Sequence, residues 1–365
     1  MKILLVRLRL IGDVVFTTPL VRALRRRYPE AHLTYVVEPA AAAVVRGNAC
    51  LNELLVVPRT AGLRRLCDDI LVARRLRRER FDVVIDLHGG PRSSWLTWAS
   101  GAPMRIGYRS TGRSWMYTHL VPRPADLSAQ HSVLKQWALL APLDVDGCDR
   151  ARDAVEMPEN MAAVERIERV LAAAGVGPGD PLIVLHVSAG NPFRRWPQDH
   201  FATLVAELAH HEPQRRFMVT SGPSDAGAAR AIVDRIKALS EKAAGAVSHG
   251  QFDGDELRAL AARAAVYIGG DSGPLHIAAT TRTPIVALFG PTLAERSMPW
   301  RDPRWFAEAV DAGPLPCRPC RQRTCAPGDF RCLARISPER VAAAAERALA
   351  AAPARAERQE RVIHA

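Results

Sequence analysis

Apolar residues recur along this chain in short unbroken blocks, separated by stretches in which they return every third or fourth position. The blocks near 2–8, 32–38, 53–57, 82–87 and 104–107, then 182–187, 216–220, 266–268 and 284–289, read as strands buried on both faces. The stretches near 14–27, 62–79, 92–99 and 129–141, then 198–210, 224–240, 254–264, 274–281 and 337–351, carry the period of amphipathic helices. Alternation of this kind predicts α/β architecture with largely parallel sheets. Segment 142–160, with Pro142, Gly147 and Pro158 among acidic residues, divides the pattern. It predicts one Rossmann-like domain over 1–160, a second over 161–351, and a frayed tail from 352 to 365. A length of 365 residues agrees, since one core seldom organises so much chain. Ligands of open α/β sheets collect beyond the carboxyl ends of the strands, so the turns at 9–13, 87–92, 187–197 and 269–273 are expected to line a cleft between facing domains.

Three of these turns have the chemistry of a phosphate or proton-transfer site. In Gly269-Gly270-Asp271-Ser272-Gly273-Pro274-Leu275-His276 a short strand passes through glycines into a helix, the arrangement that presents backbone amides to a diphosphate. Asp271 and Ser272 fall where helix caps occur, and Pro274 where a first-turn proline is tolerated. The strand Leu182 to Val187 runs into Ser188-Ala189-Gly190-Asn191-Pro192-Phe193-Arg194-Arg195-Trp196-Pro197, where a hydroxyl, amides and a guanidinium converge. Either arginine can grip a diphosphate in bidentate fashion and neutralise charge on a leaving group; Trp196 is expected to pack. At the amino terminus, Asp13 begins a helix, and its carboxylate either caps that helix or serves as a general base.

Charge narrows the partners. The net charge is +12, and residues 1–80 hold 16 Lys and Arg against 7 Asp and Glu. Arg25, Arg26 and Arg27 close one helix, and Arg74, Arg75, Arg77, Arg78 and Arg80 crowd another. With no aromatic-interleaved basic motif, nucleic acid is not expected; a phosphorylated lipid head group or an anionic bilayer surface fits this face better, with a merely solvated face the alternative for any single arginine. The chain shows no apolar run of about 18 residues, the length of a membrane span, and its opening block is cut short by Arg7 and Arg9, unlike a secretory signal. A cytoplasmic location is therefore expected.

Gly12-Asp13-Val14, Arg194-Arg195-Trp196-Pro197, and Asp271 to His276 followed by Phe289-Gly290-Pro291-Thr292 together resemble the ADP-heptose:lipopolysaccharide heptosyltransferases, glycosyltransferase family 9. The resemblance spans nearly the whole chain. It implies a GT-B fold, with the acceptor mainly on the first domain and the nucleotide sugar mainly on the second, and an inverting single displacement that uses no cofactor and no bound metal. It implies that Asp13 is the base that deprotonates the acceptor hydroxyl, and that Ser188, Ala189, Arg194 or Arg195, and Asp271, Ser272, Gly273, Pro274 and His276 hold ADP-heptose. Arg194 stands where some members carry lysine, which leaves open which arginine acts. His276 either reaches a phosphate or packs. The acceptor is implied to be the inner core of lipopolysaccharide at the cytoplasmic face of the inner membrane, with Gly12, Arg74 and Arg78 as candidate contacts and the enzyme peripheral to that membrane. The competing classes are a non-catalytic GT-B-like module binding a nucleotide or lipid head group in envelope assembly, and a nucleotide-sugar epimerase; Asp13 favours the transferase.

Of seven cysteines, Cys50, Cys67 and Cys148 look like ordinary buried thiols. Cys317, Cys320, Cys325 and Cys332 form C-x2-C-x4-C-x6-C, similar to a segment of the second and third core heptosyltransferases. The spacing is not that of a paired zinc knuckle, and metal binding is the minority reading.

Overall fold

A computed structural model describes residues 1–124 and 129–351; the expected tail at 352–365 lies outside the described residues. The chain divides into two units, Met1–Pro158 with Trp300–Asp302, and Glu159–Pro299 with Pro303 onward.

The first unit is built from β1 (Lys2–Val6), α1 (Ile11–Val15), α2 (Thr18–Arg27), β2 (His32–Val37), β3 (Glu53–Val56), α3 (Gly62–Glu79), β4 (Val83–Asp86), α4 (Pro91–Ala99), β5 (Met104–Tyr108), β6 (His119–Val121) and α5 (Ser132–Trp137). Its sheet is wholly parallel in the order β3-β2-β1-β4-β5-β6. Ile3 to Val6 and Val83 to Ile85 are buried because helices cover both faces, which is why these strands lack an alternating pattern. On one face Leu4, Val6, Val36 and Val84 pack with Ala73 and Leu76 of α3 and Leu96 of α4.

The second unit runs α6 (Met161–Ala173), β7 (Leu182–His186), α7 (Gln198–His211), β8 (Arg216–Thr220), α8 (Ala226–Leu239), α9 (Glu241–Ala244), β9 (Val247–Gly250), α10 (Gly254–Arg263), β10 (Val266–Gly270), α11 (Gly273–Ala278), β11 (Ile285–Phe289), α12 (Ala294–Ser297), β12 (Ala307–Asp311), α13 (Arg331–Ala334) and α14 (Pro338–Ala350). Its parallel order, β12-β11-β10-β7-β8-β9, repeats the first. Trp196 is buried in this core with Phe201 and Ile336, its indole N–H donating to the Ile336 carbonyl at 2.9 Å, so it packs as expected.

Each sheet starts at its centre, grows to one edge, and returns to grow the other way. The reversal falls between β1 and β4 in the first unit and between β7 and β10 in the second. Loops leaving such a pair of strands diverge and open a crevice at their carboxyl ends.

Several expectations needed correction. The helix expected over 14–27 is two helices, because Pro19 has no N–H to continue the ladder and instead suits the first turn of α2. Strands β6, β9 and β12 were not anticipated; they lie at or beside sheet edges, and their half-exposed sequences carry no apolar block. Helix α6, also unanticipated, buries Ala163, Ile167 and Leu171 at i, i+4 and i+8 and is capped by Asn160. Among the described residues no helix is long and apolar enough to cross a membrane.

Candidate functional site

In the first unit, β1 delivers Arg7 and then α1, whose third residue is Asp13. Arg7 is nearly buried and forms an ion pair with Asp13, while its other terminal nitrogen donates to the Leu87 carbonyl just after β4. The guanidinium therefore bridges the two central strands at the reversal point. Asp13 accepts from the Leu10 amide only at the long distance of 3.5 Å, and a third of its side chain is exposed. It is held by a cation and also completes the capping box of α1. Gly12 is buried beside it in α1.

The turn after β4 is set by Asp86, fully buried, whose carboxylate accepts from the His88 and Gly89 amides and from the Ser93 and Tyr117 hydroxyls. His88 donates through Nδ1 to the Arg9 carbonyl at 3.1 Å. Burial, then the Arg7 charge, lower its pKa, so the ring is neutral near pH 7 and keeps Nε2 as an acceptor. Arg74 and Arg78 stand on the exposed face of α3, and no hydrogen bond or ion pair among the described residues joins them to Asp13. Arg75 is engaged with Glu53 at 2.8 Å, and Arg25 and Arg26 are tied to the Cys50 carbonyl and to Asp153, so part of the basic surplus is structural.

In the second unit the turns after β7 and β10 meet. Arg194 closes a short 3-10 turn, Pro192–Arg194, and its Nη1 donates to the Asp271 carbonyl at 3.1 Å and lies 3.1 Å from the Asp271 carboxylate. Arg195 faces elsewhere in the unit: Nε donates to the Ala189 carbonyl at 3.1 Å, and Nη2 pairs with Asp225 at 3.0 Å. The two adjacent arginines are thus separated in role. Arg194 joins the glycine-rich turn, and Arg195 braces the loop that carries Ala189.

Asp271 is buried at 3% exposure. Burial alone would raise its pKa; His276, Arg194 and the Thr292 hydroxyl outweigh it and hold the carboxyl below its ordinary value. His276, also buried, lies with Nε2 3.6 Å from Asp271, so it is packed against the turn. Ser272 occupies the N-cap of α11 with Pro274 in the first turn, yet its side chain makes no cap bond, and its buried hydroxyl oxygen has no hydrogen-bond partner among the described residues. Gly270 is required by close approach: a Cβ there would lie 3.0 Å from the Arg194 carbonyl oxygen.

Ser188 accepts from the Gly222 amide at 2.8 Å and lies 3.2 Å from Nε2 of His186, whose Nδ1 is 2.9 Å from the Thr220 hydroxyl. Burial pushes the His186 pKa down to about 4, so this ring is neutral and fixes the Ser188 hydroxyl through one of its two tautomers. Sequence reasoning missed Arg7, His88, His186, Asp225 and Gln322. A cation or imidazole closing a buried strand was a legible signal for Arg7 and His186. Nothing local marked Gln322, two of whose three side-chain contacts lie more than a hundred residues away.

The cysteines are all free thiols. Cys67 is exposed, contrary to expectation, because it lies on the outward face of α3; Cys50 and Cys148 are half-buried. Among the described residues no three His, Cys, Asp or Glu side chains are arranged to hold a metal ion.

Comparison with known proteins gives a family match and full-length relatives. The model of glycosyltransferase family 9 (heptosyltransferase) matches residues 70–330. Lipopolysaccharide heptosyltransferase 3 of Escherichia coli is 26% identical over 87% of this chain and 91% of its own length. The crystal structure of the glycosyl transferase family 9 protein from Veillonella parvula superposes with a TM-score of 0.81 at 24% identity, covering 96% of this chain and 97% of that one. The E. coli ADP-heptose lps heptosyltransferase II superposes with a TM-score of 0.75 at 21% identity, over 96% and 99%. These likenesses establish the two-unit fold, the one expected as GT-B.

Proposed function

The chain belongs to glycosyltransferase family 9, the heptosyltransferases, and from that premise we propose that it moves a heptose from ADP-L-glycero-D-manno-heptose to the inner core of lipopolysaccharide, as a second or later heptose. The observation that carries this reading is the joining of Arg194 and His276 to the buried Asp271, next to Ser272, at the β7/β10 reversal. That cluster offers a cation, an uncommitted hydroxyl and a glycine-lined backbone to a diphosphate.

In the proposed reaction the acceptor hydroxyl oxygen attacks the anomeric carbon and the bond from that carbon to the diphosphate oxygen breaks, inverting the configuration. The hydroxyl proton passes to the Asp13 carboxylate. Arg7 orients that carboxylate before the proton arrives. ADP departs with its developing negative charge met by Arg194, an electrostatic contribution that strengthens as the bond breaks. Asp271 acts by fixing Arg194 and the turn, since its own negative charge would repel phosphate.

The acceptor face is assigned to the first unit. Helix α3 leaves Leu66, Ile70 and Leu71 exposed and continues into exposed Arg74 and Arg78. An apolar stripe merging into arginines suits an anionic lipid surface, which supports peripheral work at the cytoplasmic face of the inner membrane. The test is direct: incubate the protein with ADP-heptose and lipopolysaccharides truncated at successive core positions, and weigh the products. A gain of one heptose on one acceptor, with ADP released, is expected; no mass gain on any acceptor, with native ADP binding, would favour a binding module instead.

A further inference from the structure

Gln322 lies between Cys320 and Cys325, in a backbone conformation that disfavours side chains: its φ is +55°. Glycine would be the relaxed choice there. What the glutamine adds is a carboxamide whose two ends are both committed. Oε1 accepts from Nε of Arg194 at 2.7 Å and from the Asn191 amide at 3.0 Å, and Nε2 donates to the Thr292 hydroxyl at 3.2 Å. These partners fix which end is oxygen, because Arg194 Nε can only donate. The segment that carries Gln322 is itself anchored: the Cys320 amide donates to the Pro291 carbonyl at 3.2 Å, and Arg318 donates to the Thr292 carbonyl at 2.9 Å while pairing with Asp311 at 2.6 Å.

Arg194 is therefore held at two of the three nitrogens of its guanidinium, Nε by Gln322 and Nη1 by Asp271. Nη2 makes no hydrogen bond or ion pair among the described residues, and a third of the side chain is exposed. A long, flexible side chain held at two nitrogens presents the third in a single orientation. Ordering it in advance removes an entropic cost from binding.

We propose that Gln322 is the positioning residue of the donor site, holding Arg194 so that its free Nη2 meets the diphosphate of the nucleotide sugar. The inference rests on the donor reading above. It gives the cysteine-rich segment a function independent of any metal: its fold sets the angle at which a glutamine reaches the phosphate-binding arginine.

The test measures ADP dissociation constants and steady-state constants for the full chain carrying Q322A, Q322G, Q322E, R194A and the double variant R194A/Q322A. Q322A and Q322G are both expected to weaken ADP by about three- to tenfold, the loss for one mobile side chain. Q322G relaxes the left-handed backbone and should melt no lower than the native protein, which separates positioning from folding. Q322E keeps both acceptor contacts on Oε1 but sets a further negative charge beside the diphosphate, so it should weaken ADP rather than restore it. In the R194A background Q322A should cost nothing further, because its target is gone. Native ADP affinity in Q322A and Q322G beside a loss in R194A would overturn the role of Gln322 and leave the donor site standing. Native affinity in R194A would overturn the donor reading itself. Multiplying losses in the double variant would show Gln322 acting independently of Arg194 and would likewise overturn the proposal.

Discussion

Replacing Arg194 with alanine separates the two adjacent arginines that the sequence left equivalent. Its guanidinium joins the turns after β7 and β10 and keeps Nη2 uncommitted, whereas Arg195 spends its contacts on Ala189 and Asp225. A hydrogen bond to a charged partner contributes about 1.5–3 kcal/mol. Arg194 is 32% exposed, so solvent screening places its diphosphate contact near the lower end, about 1.5–2 kcal/mol. At 1.4 kcal/mol per factor of ten, Arg194→Ala should weaken ADP by about 10- to 30-fold. Arg194→Lys should recover the charge but not the fork, and fall between. Arg195→Ala should shift ADP affinity by less than about threefold, while lowering the melting temperature through the lost Asp225 pair. Isothermal calorimetry with ADP, beside thermal unfolding of the same samples, reads both. A native affinity for Arg194→Ala together with a large loss for Arg195→Ala would refute the assignment.

Three further outcomes follow from the geometry. His186 has its pKa lowered from 6.5 to about 4; the unfolded chain therefore takes up its proton first, and stability should fall by about 3 kcal/mol as pH drops from about 6.5 to 4, then level off. Urea titrations across that range should show a shallower fall in His186→Gln, and identical slopes would contradict the buried neutral ring. Gly270→Ala places a Cβ 3.0 Å from the Arg194 carbonyl; it should cost about 1–3 kcal/mol of stability and weaken ADP, and unchanged affinity would remove the close approach from the site. Acceptor affinity should fall between about 50 and 500 mM salt while ADP affinity falls less, and Arg74→Ala with Arg78→Ala should flatten the acceptor's salt dependence; insensitivity to both would make that face of α3 merely solvated.

Much of this was legible locally. Central strands such as Ile3 to Val6 and Ile285 to Phe289 are buried on both faces and appear as apolar blocks. The site turns follow them as glycine, aspartate and arginine clusters. Edge strands β6, β9 and β12 were illegible because half their residues face water and carry no block. The division of labour between Arg194 and Arg195 was also hidden, since it is decided by Asp271, Asp225 and Gln322, all distant in sequence. Asp13 could be read as cap or base; in the structure it pairs with Arg7, at the end of β1, and also reaches the Leu10 amide that starts its helix.

The most direct measurement of the central claim compares turnover and ADP affinity in the native protein and in Asp13→Asn, using ADP-heptose and a truncated lipopolysaccharide acceptor. The substitution keeps the shape and the long contact to the Leu10 amide while removing the basic oxygen. A fall in kcat of about a hundredfold or more, with the ADP dissociation constant unchanged, is the predicted result for a general base. Native turnover in Asp13→Asn would contradict it.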